Sequence, residues 1–260
     1  MVSPTVLTRG FWLALASLLL CLGACVPVPP PIPLPTERPS PSPSASPTVI
    51  WFPPSETPTP LSTIAVTPTP EQRPDIGEIL LADDFSTADD WSLSVTNRGQ
   101  IALGINELTI AIVEPKTLLY SVRSQPVFTD FYAEITASPN LCSGVDEYGL
   151  LLRYASPADF YRFSLSCDGQ IRLDRLYGGI ASSPQPWLSS ANVPNGAPSS
   201  SRLGVWALGN EMHFFVNDEF QFSVSDRIHP SGFLGVFARS TGENAVTVSF
   251  SDLVVHQLQP

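Results

Sequence analysis

From about residue 80 onward, apolar and polar residues alternate one for one in run after run of this 260-residue chain. The clearest runs are 132–135, 148–154, 161–167, 171–177, 203–208, 212–216, 220–224, 233–238 and 246–255, and β-branched and aromatic residues dominate them. A period of two is the signature of a strand with one face against a core. Turn formers separate the runs, among them Asn97-Arg98-Gly99, Asp168-Gly169, Leu208-Gly209-Asn210, Asn217-Asp218 and Thr241-Gly242-Glu243-Asn244. No stretch of helical length carries a period of 3.6. Ten to thirteen short strands at this spacing predict an all-β, two-sheet antiparallel sandwich.

The N-terminal residues belong to other classes. Arg9 precedes a short apolar run, 11–22, too short to span a bilayer permanently and suited to an export signal over residues 1–24. That run ends in Leu22-Gly23-Ala24-Cys25, which resembles the bacterial lipobox. The resemblance implies lipid attachment at Cys25, a partnership with membrane lipid, and a place on the outer face of the cell envelope. Residues 25–76 follow as a Pro/Ser/Thr-rich linker. Seventeen of the 28 prolines fall between Pro27 and Pro74. Proline lacks an amide hydrogen, so neither helix nor ladder propagates, and a polyproline-II stalk of at most about 150 Å is expected.

The chain carries 24 acidic against 13 basic residues, a net charge of −11, which argues against nucleic acid as a partner. Of four cysteines, Cys21 leaves with the signal and Cys25 takes lipid. Cys142 and Cys167 remain, an even pair that adjacent antiparallel strands can bring together as a disulfide. No cofactor is expected. Structural calcium at Asp83, Asp84, Asp89 and Asp90 stays open, although no EF-hand spacing is present.

The order of motifs across 77–260 resembles the concanavalin A-like lectin/glucanase sandwiches, a group that includes laminin-G-like and 3-keto-disaccharide hydrolase domains. The motifs are Asp83-Asp84-Phe85 with Trp91; Tyr148 to Arg153 followed by Phe160 to Leu165 and Asp168-Gly169; Leu203 to Trp206 followed by Met212 to Asp218; Gly232 to Phe237; and Phe250 to Val255. The resemblance implies a jelly roll whose last strand pairs with its first. It implies a sheet face that often holds saccharide, and fixes no activity.

Alternation places Glu147, Arg153, Arg162, Arg172 and Asp174 together on one sheet face. Tyr177 and Trp187, beside a patternless 178–201 loop, are candidate stacking rings. Guanidinium and carboxylate groups bond vicinal hydroxyls and aromatic rings cover sugar C–H faces, so these seven residues form the candidate ligand set. A solvated sheet face would carry the same pattern. Trp91 and Trp206 read as core. The catalytic strand of glucanases with this fold, Glu-x-Asp-x-x-Glu, is missing, since no Glu here is followed two positions later by Asp. Nor is there a Gly-x-Ser-x-Gly elbow, a His-Glu-x-x-His helix or a P-loop. The expectation is a surface-anchored, non-catalytic glycan-binding domain. Envelope protein adhesion and a hydrolase using Glu147 and Asp174 are the alternatives.

Overall fold

A computed structural model describes residues 71–88 and 90–259. Cys25, the apolar run before it, most of the Pro-rich segment and Asp89 lie outside the described residues. The described residues contain no helix and fold into two antiparallel sheets, fifteen strands in all.

The nine-stranded sheet contains β1 (Ile76–Asp83), β2 (Ser94–Thr96), β3 (Gly99–Leu103), β4 (Leu108–Ile112), β6 (Phe131–Leu141), β11 (Ser201–Leu208), β12 (Glu211–Val216), β13 (Glu219–Ser225) and β15 (Val246–Leu258). Its order is β13-β12-β11-β6-β15-β4-β3-β2, with β1 also on β15. The six-stranded sheet, in the order β10-β9-β8-β7-β14-β5, contains β5 (Leu118–Val122), β7 (Glu147–Ser156), β8 (Asp159–Ser166), β9 (Gln170–Tyr177), β10 (Ile180–Ser189) and β14 (Phe233–Arg239). The last strand pairs with the first, Asp83 opposite Leu253 and Leu81 opposite Val255, as the resemblance implies.

The core between the sheets follows the alternation. Tyr148, Leu150, Leu152, Tyr161, Phe163 and Leu165 point inward from the six-stranded sheet and meet Phe214, Val205, Ile135, Ile110 and Phe250 from the other. Phe163 and Phe214 meet at a tilt with ring centroids 4.9 Å apart. Cys142, just after β6, and Cys167, just after β8, form the expected disulfide, with Cα atoms 6.0 Å apart, so the bridge joins the two sheets.

The 178–201 stretch is not a patternless loop throughout. Gly178 and Gly179, with φ of 56° and 77°, make a two-residue turn, and Ile180 pairs with Tyr177 to begin β10. Left-handed φ at both central positions is the hairpin geometry that suits strand twist. Pro184 and Pro186 hid the alternation. The strand accommodates them because it is an edge and slips register on either side of Gln185.

Candidate functional site

Outward positions of the six-stranded sheet align in cross-strand rows. One row runs Arg239, Glu147, Ser166; the next Tyr120, Phe237, Gly149, Ser164, Arg172; the third Gly235, Leu151, Arg162, Asp174. Small residues occupy the centre of the middle row. A side chain on Gly149 would place its Cβ 2.1 Å from the Phe163 carbonyl oxygen. The Arg162 guanidinium sits 5.6 Å from the centre of the Phe237 ring and bonds Asp174 on the neighbouring strand.

Five of the predicted residues meet here, four through ion pairs and Trp187 through its ring. Arg162 Nη2 donates to Asp174 Oδ2 at 2.7 Å. Arg172 Nη2 is 3.0 Å from both Asp174 Oδ2 and Glu147 Oε2. Two partners that sequence reasoning missed complete the set: Arg239 Nη1 donates to Glu147 Oε1 at 3.3 Å, and Ser183 on β10 donates to Asp174 Oδ1 at 2.6 Å. Glu147 and Asp174 are only 4% and 3% exposed, although they point away from the core. Trp187 joins the cluster from the edge strand, its ring centre 4.2 Å from the Arg172 guanidinium carbon. The Ser164 hydroxyl is buried beside Arg172 with no hydrogen-bond partner among the described residues.

Arg153 and Tyr177 stand elsewhere. Arg153 has φ of 48°, and the pairing of β7 with both neighbours shifts around it. This bulge reverses the alternation. Gly232 makes room for it, because a Cβ there would lie 2.3 Å from the Arg153 carbonyl carbon. The Arg153 side chain is 1% exposed and donates to three main-chain carbonyls: His229 from Nη1 at 3.0 Å, Thr129 and Gly209 from Nη2 at 2.9 Å each. Burial lowers its pKa, while Tyr161 and Asp130 act in the opposite sense. It ties β7 to the turn between β11 and β12. Tyr177 shares the parity of Ile171 and Leu173 rather than of Arg172. Its exposed ring lies 6.2 Å from His229, at the end of the sandwich.

The bulge turns Tyr154 outward in place of Arg153. Tyr154 stacks on Phe160 at 5.5 Å and lies 6.0 Å from Tyr120. With Leu151, Phe237 and Leu176 they form a separate apolar cluster on the outer face. Burial, and then the Tyr120 hydroxyl, push the Tyr154 phenol above its ordinary pKa. The outer face therefore has a charged half beside Trp187 and an aromatic half beside β5. Phe160 shares the parity of Arg162, a signal available in the sequence. Tyr154 was concealed by the bulge.

The aspartates near the domain start are engaged by protein donors. Asp83 Oδ2 accepts from Trp91 Nε1 at 3.0 Å and from Arg123 Nε at 3.1 Å, and Asp90 Oδ2 accepts from Arg123 Nη2 at 2.7 Å. Among the described residues no three His, Cys, Asp or Glu side chains gather in a metal-binding arrangement.

No family model matches the sequence, and no curated protein matches it. Solved structures match the fold. The carbohydrate-binding module CBM66 from Bacillus subtilis superposes with a TM-score of 0.54 at 15% identity, over 65% of this chain and 96% of that one. A Bacillus subtilis protein of unknown function with a galectin-like fold gives 0.56 at 14%, over 71% and 99%. The catalytic domain of an endo-1,3-β-glucanase (laminarinase) from Thermotoga petrophila gives 0.50 at 8%, over 72% and 100%. The chain has the galectin- and concanavalin-like jelly-roll fold. At these identities the likeness extends to the fold alone.

Proposed function

We propose that the outer face of the six-stranded sheet binds a glycan without cleaving it. The observation that carries this reading is Arg172, bonded to Glu147 and Asp174 at once and covered by Trp187. Such a cluster is a poor way to stabilise a sheet, since well-packed apolar residues often do as well or better in place of a buried ion network. It is a good way to hold planar donors and acceptors rigid for vicinal hydroxyls, with rings beside them for C–H faces. That carbohydrate-binding modules and glycoside hydrolases share the fold supports a glycan-related role.

Catalysis is the second reading. The Glu147 and Asp174 oxygens share one arginine nitrogen and so lie within about 6 Å of each other, near the separation of roughly 5–5.5 Å that retaining glycosidases use. Every oxygen of the two carboxylates is already engaged, however, Glu147 by Arg172 and Arg239 and Asp174 by Arg162, Arg172 and Ser183, which leaves neither free to approach a scissile bond. The binding reading is therefore preferred. A glycan array probed with wild type and Arg172→Gln tests it: the reading expects saccharide retained by wild type and lost by the variant. No saccharide retained by wild type would refute it.

Display at a membrane surface completes the proposal. Leu22-Gly23-Ala24-Cys25 supports acylation of Cys25, and the prolines after it support a spacer that carries the domain away from the lipid. Mass spectrometry of the mature protein tests this, with a lipid-modified Cys25 as its N-terminus the expected result.

A further inference from the structure

The outward face of the nine-stranded sheet also carries aromatic residues, and the chain itself covers them. Tyr132, Trp206 and Phe215 alternate with core residues on β6, β11 and β12, so their rings point away from the core. Tyr132 and Trp206 are nonetheless only 3% and 4% exposed. Gly204 leaves the floor between them open, since even a Cβ there would meet the Tyr132 hydroxyl and Phe215 Cβ at 3.2 Å. Into this trough comes the segment just before β1. The Arg73 guanidinium lies 5.7 Å from the centre of the Tyr132 ring and 5.1 Å from that of Phe215, and Nη1 donates to the Tyr132 hydroxyl at 3.1 Å. Glu134 and Asp218 lie 3.9 Å and 3.5 Å from the same nitrogen. Trp206 Nε1 donates to the Pro74 carbonyl at 2.9 Å, and the Gln72 carbonyl sits 2.6 Å from His213 Nδ1.

We infer that Gln72–Arg73–Pro74 is a strap: an arginine-proline peptide of the chain's own stalk, bound in an aromatic trough built to receive it. Two ring faces, a phenol and two carboxylates match one guanidinium, and two main-chain carbonyls take the indole and imidazole nitrogens. The strap has two consequences. It closes these aromatic residues to any outside ligand. It also fixes where the linker reaches the domain, on the face opposite the Arg172 and Trp187 cluster, so the stalk's root does not obstruct that cluster.

Hydroxyl-radical footprinting and proteinase K trimming of the full chain test the strap, comparing wild type with Arg73→Ala. Arg73 lies outside every strand, so the variant keeps both sheets. Oxidation of Trp206 and Phe215 should rise several-fold in the variant while Trp187 stays constant. The trimmed fragment should begin at or before Gln72 in wild type and near Ile76 in the variant. Trp206→Phe, which keeps a ring but removes the indole donor, should give an intermediate fragment pattern. Equal oxidation of Trp206 and Phe215 in the two proteins, or trimming of wild type to Ile76, would overturn the inference.

Discussion

Arg172 on β9 and Trp187 on β10 lie 4.2 Å apart, guanidinium carbon to ring centre, and the same guanidinium holds Glu147 and Asp174. The edge strand thus contributes a ring to a charged cluster in the middle of the sheet. Removing Arg172 leaves two neighbouring carboxylates without their common counter-ion, and removing Trp187 uncovers it. Arg172→Gln should therefore weaken both saccharide binding and the fold, whereas Trp187→Ala should weaken binding with little change in melting temperature. Thermal unfolding of the two variants separates these effects. Equal melting losses in both would show that Trp187 is only packing.

Arg153 offers the opposite case, a charged residue that should matter for stability and not for binding. Arg153→Met leaves the carbonyls of Thr129, Gly209 and His229 without their donor. At roughly 1–3 kcal/mol for a buried unsatisfied group, partly relieved by relaxation, the loss should be about 3 kcal/mol. For a domain of this size that corresponds to a fall of roughly 6–12 °C in melting temperature. Calorimetry checks it, and a fall under 2 °C would contradict the assignment.

The Cys142–Cys167 bridge closes a loop of separation 25. In the chain-entropy model this contributes roughly 3 kcal/mol. Replacing both cysteines by serine should lower the denaturant midpoint, and reducing agent should move wild type toward the variant without affecting the variant itself.

The pH limits of stability follow from buried groups. Burial would raise the pKa of Asp226, but the Ile228 amide, the Tyr161 hydroxyl and Arg175 outweigh it and hold the carboxyl below its ordinary value of 3.8. A depressed folded pKa gives stability that is complete above the unfolded value and is lost as pH falls through the folded one. Burial pushes the phenols of Tyr148 and Tyr161 up to about 12. Their contribution is complete below the unfolded value of about 10 and is lost as pH rises toward 12. Asp226→Asn should flatten the acid limb below pH 4, and Tyr148→Phe the alkaline limb above pH 10, in denaturant titrations across pH.

The fold was legible because its signals are local. Alternation marked most strands, Asn217-Asp218 marked a turn in which both residues have positive φ, and the two cysteines marked a bridge. The site was legible only as far as alternation ran unbroken. Glu147, Arg162, Arg172 and Asp174 precede or avoid the β7 bulge and fall where parity places them. One inserted residue at Arg153 exchanged its face with that of Tyr154, because a shift of one residue turns every later side chain over. The room that Gly232 gives this bulge is a contact 79 positions away in sequence, which no local pattern announces. The β10 strand was hidden by prolines that only an edge tolerates.

Titration calorimetry tests the central claim most directly, using the saccharide that wild type retains and comparing wild type with Trp187→Ala and Tyr177→Ala. The account predicts that Trp187→Ala weakens binding at least about tenfold, about 1.4 kcal/mol. It predicts that Tyr177→Ala, which the sequence grouped with the site and the structure places off that face, binds as wild type does. Unchanged affinity in Trp187→Ala, or loss in Tyr177→Ala alone, would contradict it.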